Sequence, residues 1–282
     1  MKINLAKTSG FCFGVRRAIN IAKKETKKFK EVLMLKDLVH NEDVIKQLER
    51  LGIRKIKNLN KADKSKTLLL CAHGEPQDTI DKAKNYGYRI VDATCPMVKH
   101  IHSIAKDIEK RNRTIIVIGD RDHAEVIGIL GQINKRAIVI DPNKKLDLKK
   151  IKKISSASII VQSTQDLETV LKIKNILSKN ILDLEFFNTI CKPTQARQKE
   201  AKKIAKENEA VIIIGSKKSA NTKRLFWIAK NINKNTYWIN NESEIKNSWF
   251  EGINSIGITA GASTPDYIIK KVIKKIKEIS KT

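Results

Sequence analysis

Short runs of Ile, Val and Leu recur along the chain, separated by longer stretches in which apolar residues return every three or four positions among lysines. Runs of four to six residues bounded by Gly, Asp, Asn or Ser are the pattern of buried strands, and the longer stretches that of amphipathic helices. Strands are predicted at 32–35 (VLML), 67–71 (TLLLC), 89–92, 114–119 (TIIVIG), 137–141, 157–162, 184–187, 210–215 (AVIIIG), 236–240 and 255–259. Helices are predicted over 15–29, 41–51, 76–85, 97–111, 124–132, 166–178, 194–207, 221–232 and 265–280. The alternation defines an α/β protein with mainly parallel sheet, because parallel neighbours need a crossover long enough to hold a helix. No apolar run approaches the roughly 18 residues of a spanning helix. The opening MKINLAK lacks the apolar stretch of a secretory signal, so a cytoplasmic chain without membrane contact is expected.

Strand ends carry a weak internal repeat. VLMLKDL runs into VHNE at His40, LLLCA into HGE at His73, and IIVIG into DRDHAEV at His123. SIIVQ runs into STQD at Ser163 and Thr164, VIIIG into SKKSANT at Ser219 and Asn221, and GITAG into AST at Ser263. The six ends fall in pairs, 40/73, 123/163 and 219/263, and so suggest three lobes of roughly 90 residues. Carboxyl ends of parallel strands are where such folds bind ligands, and helix N-termini there favour anions. Polar strand ends occur in any α/β chain; their paired recurrence is the signal.

Composition changes the picture less than it first promises. The formal net charge is +27, from 57 Lys and Arg against 30 Asp and Glu, which invites a nucleic-acid partner. Yet the sequence holds 46 Lys and only 11 Arg. Base reading and bidentate phosphate recognition favour Arg. Lysines spread along every amphipathic segment read instead as solvated helix faces, and no nucleic acid is expected. A basic α/β nucleic-acid-binding protein stays as the alternative reading. An apolar fraction of 41% excludes a disordered polycation.

Four cysteines stand at 12, 71, 95 and 191. A cytosolic chain disfavours structural disulfides, and without a CxxC pair a zinc ribbon is unsupported. Cys12, Cys95 and Cys191 each lie in a Gly- or Pro-marked turn just before a predicted helix, at intervals matching the lobe length. Cys71 closes an apolar strand and reads as a small core residue. Three thiolates can hold three irons of a cubane cluster and leave the fourth iron open as a Lewis acid. A Cys/His zinc site, as in a zinc-dependent hydrolase, or three unrelated cysteines remain open on spacing alone.

Taken in order, GFCFGVRRAI (10–19), VHN (39–41), AHG (72–74), DATCP (92–96), HAEVIG (123–128), QST (162–164), NTIC…TQARQ (188–198), GSKKSANTKRL (215–225) and ITAGASTPD (258–266) cover nearly the whole chain. In these stretches the sequence resembles the LytB family, the 4-hydroxy-3-methylbut-2-enyl diphosphate reductases of the methylerythritol phosphate route. The resemblance implies three similar α/β lobes with small, mainly parallel sheets, arranged pseudo-threefold around a central iron–sulfur cluster. Lobes at 13–95, 96–191 and 192–282 are expected, with residues 1–12 packing with the third. It further implies a 4Fe-4S cluster on Cys12, Cys95 and Cys191, and a proton donor at Glu125. Diphosphate contacts are implied from His40, His73, His123, Ser219, Asn221 and Ser263. Ser163 and Thr164 match a pair of family threonines, the first of them in the proton and hydroxyl network. Ala220 departs from the family, where a second serine is common. No GxGxxG follows any predicted strand, so a separate electron donor, an acidic ferredoxin or flavodoxin, is expected.

Overall fold

β-Branched Ile and Val pack well on a pleated surface covered on both sides, which is why the apolar runs become strands here. The computed structural model describes residues 1–29, 31–62, 65–134 and 137–280. Among these residues twelve strands alternate with ten α-helices. The strands are β1 (Lys2–Leu5), β2 (Glu31–Met34), β3 (Ile53–Lys55), β4 (Lys66–Leu70), β5 (Arg89–Asp92), β6 (Thr114–Ile118), β7 (Ile138–Ile140), β8 (Ser156–Val161), β9 (Asp183–Phe186), β10 (Ala210–Ile214), β11 (Thr236–Ile239) and β12 (Ser255–Ala260). The helices are α1 (Phe13–Lys28), α2 (Glu42–Arg50), α3 (Gln77–Asn85), α4 (Pro96–Lys110), α5 (Ala124–Leu130), α6 (Leu148–Ile151), α7 (Leu167–Ser178), α8 (Lys192–Glu207), α9 (Ala220–Lys230) and α10 (Asp266–Ile279).

The strands form three four-stranded sheets, all parallel, in the orders β3-β2-β4-β5, β7-β6-β8-β9 and β11-β10-β12-β1. Each has the same topology. The chain goes outward from its first strand, crosses back to the other side of it, and leaves a switch point between the two central strands. In the third sheet the outermost place is filled by β1 from the other end of the sequence, paired with β12 from Lys2 opposite Ser255 to Leu5 opposite Ile258.

The chain forms two compact units, residues 1–15, 40–44 and 192–282, and residues 16–39 and 45–191. The first holds the third sheet. Ile212, Ile214, Ile256 and Ile258 pack there against Ile268, Val272 and Ile276 of α10. The second holds the other two sheets. One of its cores joins Ile116, Ile118, Ile159 and Val161 to Val170 and Leu177 of α7; another joins Ile101 and Ile108 of α4 to Val117 and Ile160. These side chains are wholly or nearly inaccessible.

The predicted strands fall within one or two residues of those observed. The pattern did not predict β1, β3 or the single-turn α6. β3 buries only Ile53 of its three residues, and both ends of β1 are exposed, so neither shows the run of apolar residues that marks a strand covered on both faces.

Candidate active site

The site residues belong to two sets of turns at the carboxyl ends of the central strands. After β4, β8 and β12 the chain makes the same turn three times. Gly74 N–H donates to Cys71 O (3.2 Å), Gln165 N–H to Gln162 O (3.1 Å) and Thr264 N–H to Gly261 O (3.0 Å). The third residue of each turn is His73, Thr164 or Ser263. The carbonyl of the second residue accepts from a cysteine in every case: Cys95 N–H to Ala72 O (3.0 Å), Cys191 N–H to Ser163 O (3.1 Å) and Cys12 N–H to Ala262 O (3.1 Å). Each cysteine follows the outermost strand of its sheet and directly precedes α4, α8 or α1. Three thiols are thus placed by one repeated backbone device, each half-buried and none in a disulfide. Cys12 Sγ also accepts from Val15 N–H at 3.5 Å.

Cys71 lies outside this set. It is 1% exposed, and burial, with Glu75 beside it, pushes its thiol up to about 12, so it stays protonated at neutral pH. The turn leading to Cys95 is held by Asp92, whose carboxylate accepts from Thr94 N–H (2.9 Å) and pairs with Lys99 (2.5 Å). Burial alone would raise that carboxyl; the hydrogen bonds from Lys99 and Thr94 outweigh it and hold it below its usual range. Arg197, 5% exposed, donates to Gly10 O (2.7 Å) and so fixes the loop before Cys12.

The second set follows β2, β6 and β10, where side chains cap the next helix. Asn41 Oδ1 accepts from Val44 N–H (3.1 Å), His123 Nδ1 from Glu125 N–H (3.1 Å) and Ser219 Oγ from Thr222 N–H (3.3 Å). An accepting Nδ1 sets the tautomer of His123: the ring's hydrogen is on Nε2. His73 meets this ring edge to face, centroids 5.4 Å apart. Ser263 Oγ donates to His40 O (2.9 Å), tying the two loops in the first unit. Asn221 is 4% exposed, and neither atom of its amide has a hydrogen-bond partner among the described residues. A buried amide without a partner costs stability, which marks Asn221 as a candidate to meet a group the protein does not itself supply.

Glu125 is 1% exposed, and both of its oxygens are engaged by one residue: Oε1 accepts from Ser163 N–H (2.6 Å) and Oε2 from Ser163 Oγ–H (2.8 Å). A buried carboxyl joined to a hydroxyl is suited to hold a proton and pass it on. Thr164 Oγ1 accepts from Gln162 Nε2 (3.0 Å). The structure thus brings together His73 with His123, Glu125 with Ser163, and Ser163 with Cys191 in the second unit. In the first it joins Ser263 with His40 and sets Cys12 beside Ser263's turn.

Sequence reasoning missed Asn41, Arg197 and Thr222. Asn before an acidic helix start was a legible cap signal. Arg197 lies inside the quoted TQARQ stretch, but nothing in its spacing shows that it is buried. Thr222 is visible only by packing: its Oγ1 lies where a Cβ on Gly261 would be, so the turn after β12 must be glycine. His102 of α4 is buried, and its ring lies 2.6 Å from where a Cβ on Gly74 would stand. With φ of +81° as well, Gly74 admits no side chain.

Three parallel sheets of one topology, with thiols, imidazoles and hydroxyls at their carboxyl ends, define an α/β protein whose candidate site lies where parallel sheets present their loops. The comparisons with known proteins narrow that class. The model of the "LytB protein" family matches residues 3–277. The 4-hydroxy-3-methylbut-2-enyl diphosphate reductase of Campylobacter hominis is 38% identical over 278 residues, 98% of each chain. The solved "Structure of (E)-4-Hydroxy-3-methyl-but-2-enyl Diphosphate Reductase, the Terminal Enzyme of the Non-Mevalonate Pathway" covers 99% of this chain and 100% of its own, at TM-score 0.71 and 34% identity. The corresponding reductase from Plasmodium falciparum gives 0.89 at 27% identity, over 97% of this chain and 87% of its own. The chain belongs to the LytB protein family.

Proposed function

We propose that this chain reduces 4-hydroxy-3-methylbut-2-enyl diphosphate to isopentenyl and dimethylallyl diphosphate, with a 4Fe-4S cluster on Cys12, Cys95 and Cys191. One observation carries this reading beyond family membership: the same amide-to-turn hydrogen bond places three thiols at equivalent points of three like sheets, while Cys71 is buried and held as a thiol. Cysteine thiolates are the ligands such clusters need. The lobes are taken as 13–95, 96–191 and 192–282, with residues 1–12 joined to the third, and the chain as cytosolic. No helix among the described residues is long and apolar enough to cross a membrane.

The reaction consumes two electrons and two protons, breaks one C–O bond, forms one C–H bond and releases water. When bound, the cluster would supply the electrons and a Lewis-acidic iron. The protein's part is to bind, orient and move protons. His40, His73, His123, Ser219, Asn221 and Ser263 hold the diphosphate; Asn221's unsatisfied amide and the Nε2–H of His123 are donors for its oxygens. Glu125 delivers the proton that departs with the hydroxyl, through Ser163 Oγ at 2.8 Å. Thr164 lies in the same turn. Electrons come from an acidic ferredoxin or flavodoxin.

The test is anaerobic purification with measurement of iron, sulfide and the visible spectrum. Changing Cys12, Cys95 or Cys191 singly to Ser is expected to lower bound iron and abolish turnover, while Cys71→Ser keeps both. A colourless, iron-free protein that still converts the substrate would overturn the reading.

A further inference from the structure

Three helices start at the three cysteines, and their outer faces differ. On α4 Asp107 is exposed, and on α8 Glu207 is exposed. On α1 the single acidic residue, Glu25, is 7% exposed and paired with Arg89 at 2.7 Å. The outer positions of that helix are Arg16, Asn20, Lys23, Lys24, Lys27 and Lys28, all exposed, with no carboxylate among them. Its first residue, Phe13, follows Cys12 directly and is 71% exposed. A large aromatic left in water is the kind of side chain enriched at interfaces, and the row of cations beside it, one Arg and four Lys with no carboxylate, is complementary to a partner of opposite charge. The sixteen residues span about 24 Å, enough for the small contact areas of transient redox encounters.

We propose that the outer face of α1, from Phe13 to Lys28, is the docking surface of the electron donor, a small acidic carrier protein. The proposal rests on the reductase reading, since only an enzyme fed electrons from outside needs such a surface. Phe13, at the end of that face next to a cysteine taken as a cluster ligand, gives the contact its apolar part. The cations along the helix steer a carrier of opposite charge and set its orientation. Two one-electron carriers, each oxidised once, supply the two electrons of one turnover.

The probe is a purified acidic bacterial ferredoxin. Two triple variants receive the same change in net charge: Lys23→Glu/Lys24→Glu/Lys27→Glu on α1, and Lys270→Glu/Lys274→Glu/Lys277→Glu on α10, whose lysines are equally exposed. Ferredoxin affinity for each iron-loaded protein is measured by calorimetry across a salt series, and turnover is measured with ferredoxin and with reduced methyl viologen. The α1 variant is expected to bind ferredoxin about tenfold more weakly, with a shallower salt dependence, and the α10 variant within about twofold of the parent. Both keep iron content and viologen-driven turnover. Phe13→Ala is expected to raise the ferredoxin KM while its viologen-driven rate holds. Equal weakening by both triples, or none by the α1 triple, overturns the docking surface. Absence of viologen-driven turnover in the iron-loaded parent overturns the reductase reading instead, and the calorimetry still decides the docking surface.

Discussion

Glu125 and Ser163 form the tightest polar pair among the candidate residues. The serine uses its amide and its hydroxyl on the two carboxylate oxygens, so Ser163→Ala removes only the hydroxyl contact and leaves the amide bond in place. Glu125→Gln is expected to lower kcat by about 10²–10⁴-fold with little change in KM, in steady-state assays with a small-molecule reductant. Ser163→Thr, which keeps the hydroxyl, is expected to stay within a few-fold of the parent. His102 offers a different test. Burial, with help from Lys106, lowers its pKa from 6.5 to about 4, so the ring stays neutral under Gly74. A group whose pKa is depressed by folding stabilises above its unfolded pKa, and that contribution is lost as pH falls from 6.5 towards 4. The loss is at most about 3 kcal/mol. Thermal melts between pH 7 and 4 should show the parent losing stability faster than His102→Gln.

The central strands were legible as elements because each is buried along nearly its whole length, and continuous Ile and Val runs survive any reading of period. The edge strands β1 and β3 were not, since they are short and largely exposed. The same burial sets the cost of damage. Ile159→Ala in β8 empties a fully enclosed position and is expected to cost about 2–5 kcal/mol in urea titration, and Ile53→Ala in β3, fully buried at the sheet edge, should fall near the lower end. At the strand ends, the cysteines and histidines could be picked out by recurrence before any geometry was known. What recurrence could not show is that one amide hydrogen bond to a turn carbonyl repeats at all three cysteines. Such a bond depends on backbone direction, and side-chain identity (Ala, Ser and Ala at the accepting residues) carries no trace of it.

Over the whole molecule, the +27 charge rests on Lys-rich helix faces, and the exposed face of α1 combines six polar or cationic positions with one aromatic residue and no acid. The third sheet has another consequence. Its outermost strand, β1, precedes its partner β12 by some 250 residues, the largest sequence separation of any strand pair among the described residues. Pairing across such a distance is slow, because loop-closure entropy is lost before any contact rewards it. Deleting residues 1–5 should therefore leave the two sheets of residues 16–191 folded while the third loses its edge, seen as hydrogen-exchange protection lost from β12 and kept in β6 and β8. During synthesis the ribosome would release β4 with Cys95 and β8 with Cys191 while β12 is still inside its tunnel. Cys12, emerging first, is the last of the three to find its turn.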